Sequence, residues 1–181
     1  MMTFVTARTT LRPVTPDDVP ALHALWIDPA VRKYLWDDTI IPRERAAEVV
    51  AASDDDFAAH RFGLWAVHET ATGDWIGFCG FRSSEADEVE LLYGIWPRHW
   101  GRGLVTEAAR ALLSYAFVTL GVTEVVAATD VPNLASVRVL ERLGMHFERR
   151  GLLNGLDTVF YRLPRERFTD SRPSHRELRM L

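Results

Sequence analysis

The stretch VELLYGIWPRHWGRGLVTEAARA, residues 89–111, contains three kinds of local structure in succession and decides the fold. Residues 89–96 are apolar and aromatic, which is typical of a strand, and Pro97 ends them. A basic loop with two glycines follows, and apolar residues at helical spacing begin at Leu104. The free amides of a glycine turn and of a helix N-terminus attract anions, and the helix dipole adds partial positive charge. The stretch therefore predicts a phosphate site.

The segments around this stretch predict a mixed α/β domain. Alternating or β-branched patterns predict about seven strands, at residues 7–14, 62–68, 75–82, 89–96, 124–129, 145–152 and 158–163. Helical spacing predicts one helix that begins at residue 15 and is broken at residues 28–29, and four more at residues 30–35, 42–57, 104–119 and 133–143. The strand at residues 124–129 is rich in β-branched residues, which predicts burial on both faces. Only the centre of the chain has the strand, helix, strand order of a parallel unit.

Composition limits both the class of protein and its ligands. With 181 residues, of which 48% are apolar and 25% charged, the chain suits one compact domain. A net charge of −4 argues against nucleic-acid binding, so an anion must be held by a local cluster such as Arg98, His99 and Arg102. The single cysteine, Cys79, fits a reducing compartment and the core. No secretory pattern and no run of ~20 apolar residues is present, which predicts a cytoplasmic protein without membrane contact.

The glycine loop does not match two common nucleotide motifs. The sequence has no GxxxxGK[ST] stretch, and the loop does not follow GxGxxG. A lone Gly-x-Gly turn is also typical of a simple connection between a strand and a helix. Three features of its context favour phosphate: the strand ends at Pro97, Arg98 and Arg102 carry charge, and Thr106 places a hydroxyl near a bound phosphate.

The sequence Pro-x-x-Trp-Gly-x-Gly-x-x-Thr-Glu-Ala at residues 97–108 resembles the acetyl-CoA loop of the GNAT superfamily, and its Trp-Gly-x-Gly form is similar to the RimJ/RimL-like ribosomal-protein N-terminal acetyltransferases. Three more segments resemble the family in the same order: LRPVTPDDVPAL at residues 11–22, Glu90 and Tyr93 with Pro97, and Asn-x-x-Ser-x-x-Val-Leu-Glu-x-Leu-Gly at residues 133–144. The resemblance implies a GNAT fold over residues 8–168, followed by a basic tail at residues 169–181. It also implies an N-acetyltransferase with acetyl-CoA as cosubstrate.

The resemblance further implies where acetyl-CoA binds. The pantetheine arm pairs with the backbone at the splayed end of the central strand, which corresponds here to Tyr93, Ile95 and Trp96. A free amide there, that of Ile95, serves the oxyanion, and the side chain of Asn133 bonds the arm. In this register the signature runs from Trp100 through Gly103 to Val105, and Val105 is bulkier than the usual alanine. The amides that hold the pyrophosphate are those of Trp100, Gly101, Arg102, Gly103 and Leu104.

Two residues are candidates for the chemistry of acetyl transfer. Glu90 shares a strand face with Leu92 and Gly94 and is the predicted general base, directly or through water, although a strand carboxylate without a role fits equally well. Many superfamily members carry a tyrosine acid where this chain has Leu140. Ser136 lies one helical turn earlier, on the same face, and its equivalent is proposed to assist the thiolate in the RimJ/RimL-like branch. The alternative is a serine that bonds the backbone near Asn133.

The acceptor is the least specified part of the prediction. Protein N-terminal amines are favoured by the resemblance, and a small-molecule amine such as an amino sugar, a polyamine or an antibiotic is the alternative. Leu140 and Val105 also allow a regulatory module that binds acyl-CoA without catalysis. The chain is predicted to act as a monomer or homodimer, and His99 and His146 are too isolated for a metal site.

Two groups of residues each have two interpretations: they either help to bind the amine acceptor or have only a structural role. The acidic residues at 54–56 and Glu85, Asp87 and Glu88 either attract a cationic acceptor or form solvated turns. Trp26, Tyr34 and Trp36 either wall an acceptor groove or pack in the core.

Overall fold

The computed structural model describes residues 2–84 and 88–169, and its strands form one mixed sheet. The strands are β1 (Phe4–Val5), β2 (Thr9–Pro13), β3 (Leu64–Glu69), β4 (Trp75–Ser83), β5 (Val89–Ile95), β6 (Glu124–Asp130), β7 (His146–Leu153) and β8 (Leu156–Pro164). Their order across the sheet is β1-β2-β3-β4-β5-β6-β8-β7. Neighbouring strands are antiparallel except for β5 and β6, which run parallel. The predicted mixed sheet with one parallel unit at its centre is confirmed.

Strand β1 is the one strand of the described sheet that the sequence did not predict. It has two residues and pairs with β2 through Phe4↔Leu11 and Val5↔Thr10. Two residues are too few to show an alternating pattern. The sheet therefore has eight strands where about seven were expected.

Five helices cover the two faces of the sheet, as predicted. They are α1 (Val19–Ile27), α2 (Pro29–Leu35), α3 (Arg43–His60), α4 (Leu104–Ser114) and α5 (Leu134–Arg142). Helix α4 continues as a π-helical segment, Tyr115–Leu120, and ends at Gly121, where φ is +74°. Asn133 caps the N-terminus of α5, and its side-chain oxygen accepts a hydrogen bond from the amide of Ser136 (3.2 Å).

The two faces of the sheet have separate hydrophobic cores, and the alternation of β4 shows the division. Phe78 packs with α1, α2 and α3, in the cluster that contains Leu22 and Trp26. The next residue, Cys79, packs on the opposite face, in the cluster that contains Leu112 of α4 and Leu140 of α5. Because β5 lies beside β4, its side chains also alternate between these two layers. This alternation decides which residues of β5 meet α5.

Strand β6 differs from the prediction of burial on both faces. Its residues alternate between buried and partly exposed, with Val125 and Ala127 in the core. No helix within residues 2–84 and 88–169 is long and apolar enough to cross a bilayer. Most of the predicted basic tail, residues 170–181, lies outside the described part of the chain.

Candidate active site

The two neighbours of β5 pair with it very differently. Strand β4 pairs along the whole of β5, from Ser83↔Val89 to Gly77↔Ile95. Strand β6 pairs only at Val89↔Val125 and Glu90↔Val126. After Glu90 the parallel strands separate, so one edge of β5 faces a gap in the sheet. This is the splay that the family resemblance implied.

The hydrogen bonds of β5 show which of its backbone groups face the gap. The amide of Trp96 donates to the carbonyl of Ile76 on β4 (3.0 Å). Because polar groups alternate in direction along an antiparallel strand, those of Tyr93 and Ile95 point the opposite way, toward β6. The described pairing with β6 ends before both residues. The carbonyl of Ile95 accepts a hydrogen bond from the indole N–H of Trp100 (2.8 Å). The amide N–H of Ile95 therefore remains as the free group of this residue at the gap.

The glycine loop continues from the end of β5 and presents free amides. Gly101 and Gly103 have φ values of +72° and +73°, a conformation that residues with a side chain rarely adopt. Within the described residues, no hydrogen bond uses the amides of Gly101, Arg102, Gly103 or Leu104. The first helical bond runs from the amide of Glu107 to the carbonyl of Gly103 (3.1 Å). The loop therefore has the anion-binding form that the sequence predicted.

The expectation of a free amide at Trp100 needs a correction. This amide donates to the carbonyl of Pro97 (3.0 Å), because Pro97–His99 form a 3-10 turn. Trp100 thus contributes its indole to the strand end and has no amide to offer a phosphate. Four of the five amides predicted for the pyrophosphate remain.

The glycine loop is held in place by the N-terminal part of the chain. Nη1 of Arg8 donates to the carbonyl of Arg102 (2.7 Å), and Nε of Arg8 is ion-paired with Glu107 (2.7 Å). Glu107 also accepts the hydroxyl of Thr6 (2.6 Å) and the amide of Arg8 (2.7 Å). Burial alone would raise the pKa of Glu107, but these hydrogen bonds outweigh it and hold the pKa below its ordinary value.

The predicted basic cluster is formed, but of its three residues only His99 lines the cleft described below. Arg102 is ion-paired with Glu69 on β3, and its Nη1 lies 3.1 Å from His99 Nδ1. Arg98 donates from Nε to His99 Nε2 (3.2 Å) and stacks over the ring of Trp96. Burial and the adjacent Arg98 guanidinium lower the pKa of His99, which favours its neutral form. Neither Arg98 nor Arg102 lines the cleft, and both side chains have partners in the protein.

The cleft between β5 and β6 has a volume of about 530 Å³ and joins the gap in the sheet to the glycine loop. Helix α5 forms one wall, and α2 closes the other end. Two cations that the sequence analysis missed line it: Arg138 and Arg142, both exposed on α5. Their spacing of four residues puts them on one helix face, and this signal was available in the sequence. The lining residues that carry the argument are Tyr93, Ile95, Gly101, Asn133, Ser136 and Leu140.

Thr106 lines the cleft, but its hydroxyl does not open onto it. Its Oγ1 is shielded from solvent and has no hydrogen-bond partner among the described residues. A contact from Thr106 to a phosphate therefore requires another rotamer.

Ser136 and Tyr93 meet across the cleft. The O–H of Tyr93 donates to the Ser136 carbonyl (3.3 Å), and its oxygen lies 2.7 Å from Ser136 Oγ. Ser136 is therefore bonded to a phenol, whereas the alternative was a bond to the backbone near Asn133. Burial raises the pKa of Tyr93, because a phenolate there would lose its hydration. Leu140, in the position of the family's tyrosine acid, is 1% exposed.

Glu90 stands at the point where β5 and β6 separate, outside the lining of the cleft. Its Oε2 accepts from Arg82 Nε on β4 (2.7 Å), and its side chain is 15% exposed. Its Oε1 has no partner within the described part of the chain. A role as base therefore requires a water between Glu90 and the acceptor.

The remaining acceptor candidates are mostly distant from the cleft. Asp54 and Asp55 lie exposed on α3, and Glu88 is ion-paired with Arg162 on β8. Trp26 is buried and Trp36 packs against it, so of the three aromatic candidates only Tyr34 lines the cleft. Glu85 and Asp87 lie outside the described residues. No group of three or more potential metal ligands occurs in residues 2–84 and 88–169.

Comparison with known proteins agrees with this geometry. A model of the GNAT acetyltransferase domain matches residues 8–146. The uncharacterized N-acetyltransferase p20 of Bacillus licheniformis is 28% identical over 165 residues, which cover 90% of this chain and 92% of p20. An acetyltransferase of Agrobacterium tumefaciens str. C58 superposes with a TM-score of 0.80 and 26% identity, covering 90% of this chain and 94% of that one.

A further structural neighbour was solved with coenzyme A. RimL, a ribosomal L7/L12 alpha-N-protein acetyltransferase solved in complex with coenzyme A, has a TM-score of 0.77 at 20% identity, over 91% of this chain and 98% of RimL. This likeness shows the fold alone. Together with the family match, it confirms the fold expected from the four sequence motifs.

The split sheet and the glycine loop are those of an acyltransferase that binds coenzyme A. The chain belongs to the GNAT family and is an acetyl-CoA-dependent N-acetyltransferase. The free amides of the loop and the open edge of β5 fit this cosubstrate, since its pyrophosphate needs donors and its pantetheine arm needs a strand to pair with.

Proposed function

We propose that this enzyme transfers the acetyl group directly from acetyl-CoA to a primary amine in a ternary complex, and that the preferred acceptor is a peptide N-terminal α-amine. The observation that carries the proposal is the separation of β5 from β6 after Glu90, immediately beside a loop of free amides. Both substrates then meet in one cleft. No covalent acetyl-enzyme is needed.

On the donor side, the backbone groups of Tyr93 and Ile95 pair with the pantetheine arm. The side-chain amide of Asn133 donates to the same arm, because its oxygen already caps α5. The amides of residues 101–104 hold the pyrophosphate. The thioester carbonyl then lies beside the Ile95 amide, which stabilises the oxyanion as the amine nitrogen attacks. When the carbon–sulfur bond breaks, the proton lost by nitrogen balances the one gained by sulfur.

The kind of amine follows from which groups line the cleft. No carboxylate lies among the described residues of its wall, and Arg138 and Arg142 make the wall positive. A site of this kind disfavours a protonated amine, and the candidate base, Glu90, lies outside the lining of the cleft. At pH 7 roughly a tenth of an α-amine is unprotonated, against about one lysine side chain in 2,500. The cleft therefore supports an α-amine better than a lysine or a polyamine.

The acceptor end of the cleft is apolar. Tyr34 and Leu35 of α2 and Leu92 of β5 line it, and Leu134 of α5 is 59% exposed beside it. These side chains suit the first residues of a peptide with apolar or small side chains. A small amine of similarly low pKa fits the same arguments about charge, so amino sugars remain the second candidate.

Release of free thiol from acetyl-CoA tests the proposal directly. Peptides with a free N-terminus and no lysine are compared with the same peptides carrying a blocked N-terminus and one lysine. Polyamines and amino sugars form the third set. Thiol release with the first set alone supports the proposal. Turnover confined to small amines contradicts the peptide acceptor, and acetyl-CoA binding without any turnover favours a non-catalytic module.

A further inference from the structure

We propose that Arg138 and Arg142 of α5 bind the 3′-phosphate of coenzyme A, and that the enzyme thereby distinguishes acetyl-CoA from thioesters that lack this phosphate. The inference deepens the proposed function and rests on its placement of coenzyme A in the cleft. Its basis is that both arginines line the cleft and have exposed side chains. Within the described residues, neither guanidinium has a hydrogen-bond or ion-pair partner.

The arginines at the glycine loop itself already have partners in the protein. Arg8 and Arg102 form ion pairs with carboxylates, and Arg98 donates to the ring of His99. A guanidinium without such a partner keeps its five donors for a ligand, and its planar shape suits two oxygens of one phosphate. The positive charge that the cleft can offer to a bound anion is therefore on α5.

The two arginines lie on the side of the cleft that is away from the acceptor end. Helix α5 begins with Leu134 at the acceptor end, and Arg142 follows eight residues later, about 12 Å along the helix at 1.5 Å per residue. The carbonyl of Arg142 accepts a hydrogen bond from Nη2 of Arg110 on α4 (2.6 Å). The last turn of α5 is thus beside α4, the helix that begins at the glycine loop.

Coenzyme A has one phosphate for which the glycine loop does not account. The loop amides suit the pyrophosphate, and the 3′-phosphate lies beyond it, on the ribose. A phosphate monoester carries roughly two negative charges at pH 7, which two guanidinium groups balance. Once this phosphate is bound, the wall is no longer positive. The preference for an amine of low pKa then rests on the lack of a carboxylate in the described lining.

Titration calorimetry of the full chain with coenzyme A and with 3′-dephospho-coenzyme A tests the inference. We expect the unmodified chain to bind coenzyme A about tenfold more tightly, a modest preference because both guanidinium groups are exposed to solvent. Arg138→Gln and Arg142→Gln should each lower this preference about threefold, and the double variant should bind the two ligands almost equally. The preference should also fall as the salt concentration rises.

Two controls separate the 3′-phosphate from the rest of the ligand. Arg43→Gln removes an exposed arginine of α3 and should leave the preference unchanged. Gly101→Ala should weaken both ligands alike, because both contain the pyrophosphate. Equal affinity of the unmodified chain for the two ligands, or variants of Arg138 and Arg142 that weaken both ligands to the same degree, would overturn the inference. Since no amine is present, these results do not depend on the acceptor, whereas the thiol assay tests the acceptor alone.

Discussion

The two sides of strand β5 show how one strand serves both stability and binding. Toward β4, the pairing runs over seven register positions, from Val89 to Ile95. Toward β6, it stops after two. A closed ladder satisfies every backbone group and leaves nothing for a ligand, whereas an ended ladder leaves donors and acceptors in a fixed row. The open edge of β5 thus arises because its pairing ends on one side and continues on the other.

The closed side requires close approach of the strands. A Cβ atom on Gly77 would lie 2.2 Å from the carbonyl oxygen of Gly94 and 2.7 Å from the Cα of Ile95. No residue but glycine fits at that distance without movement of β4 or β5. Rigidity on this side is what gives the open side a defined geometry.

A substitution on the closed side of β5 should destabilise the protein most. Gly77 has φ of +155°, so Gly77→Ala adds both strain and a clash, and we expect the free energy of unfolding to fall by about 3 kcal/mol. Gly73→Ala is the control, because Gly73 has φ of +75° but a Cβ atom added there would meet no other atom within 4 Å. It should lose about 1 kcal/mol. If urea denaturation gives the same loss in the free energy of unfolding for both variants, the close approach of β4 and β5 at Gly77 does not contribute to the destabilisation.

The junction of the two sides is tested at Glu90, the last residue paired with β6. We expect Glu90→Gln to lower kcat/KM by about a hundredfold at pH 7, the lower range for a general base. The loss should shrink as the pH rises past the pKa of the acceptor amine, because the amine then needs no base. Glu44→Gln, at an exposed position on α3, serves as the control. A loss that is constant from pH 7 to pH 9 would remove Glu90 from the role of base.

The glycine loop tests the open side alone. Gly101→Ala should weaken binding of coenzyme A about tenfold, since strain at φ of +72° moves the amides that we propose hold the pyrophosphate. Gly121→Ala is closely matched, with φ of +74° and equally open surroundings at the end of α4. Both variants should lose about 1 kcal/mol of stability. Titration calorimetry that finds the same affinity in both would contradict a phosphate site at the loop.

The smallest effect is expected where the N-terminal segment holds the loop. The pKa of Glu107 is lower in the folded protein than its ordinary value. The bonds of Glu107 to Thr6 and Arg8 therefore stabilise the fold fully at a pH above the ordinary pKa. This stabilisation is lost as the pH falls through the lowered pKa. Because half of the Arg8 side chain is exposed, we expect Glu107→Gln to cost only about 1 kcal/mol at pH 7, and less in acid. Glu48→Gln removes an exposed pair with Arg45 and should cost almost nothing. A loss for Glu107→Gln that persists at low pH would mean that the ion pair is not its cause.

Local patterns predicted the elements of the fold, and long-range contacts account for what they missed. The change from an apolar strand to Gly101 and Gly103 and then to helical spacing at Leu104 is contained in about fifteen residues, and the structure follows it. The partners of that unit lie far away in sequence. Arg8 holds the loop from 94 residues away, and no local pattern of residues points to this bond.

The contact of Tyr93 with Ser136 was only partly predictable from the sequence. The alternation of β5 places Tyr93 on the face opposite to Glu90, and Ser136 falls in the first turn of the helix that covers this face. A signal for the contact was therefore present, but using it required the sheet order. The partners of Arg98 and Arg102 show the reverse, since a basic loop predicted charge at the phosphate and the side chains pair with His99 and Glu69 instead.

The indole of Trp100 gives the end of β5 a polarity. It takes up one lone pair of the Ile95 carbonyl, whereas the N–H of Ile95 has no such partner among the described residues. At the last residue of the strand, the free donor is therefore better available to a ligand than the acceptor. This favours a ligand that ends there with an oxygen, and the thioester carbonyl is such a group.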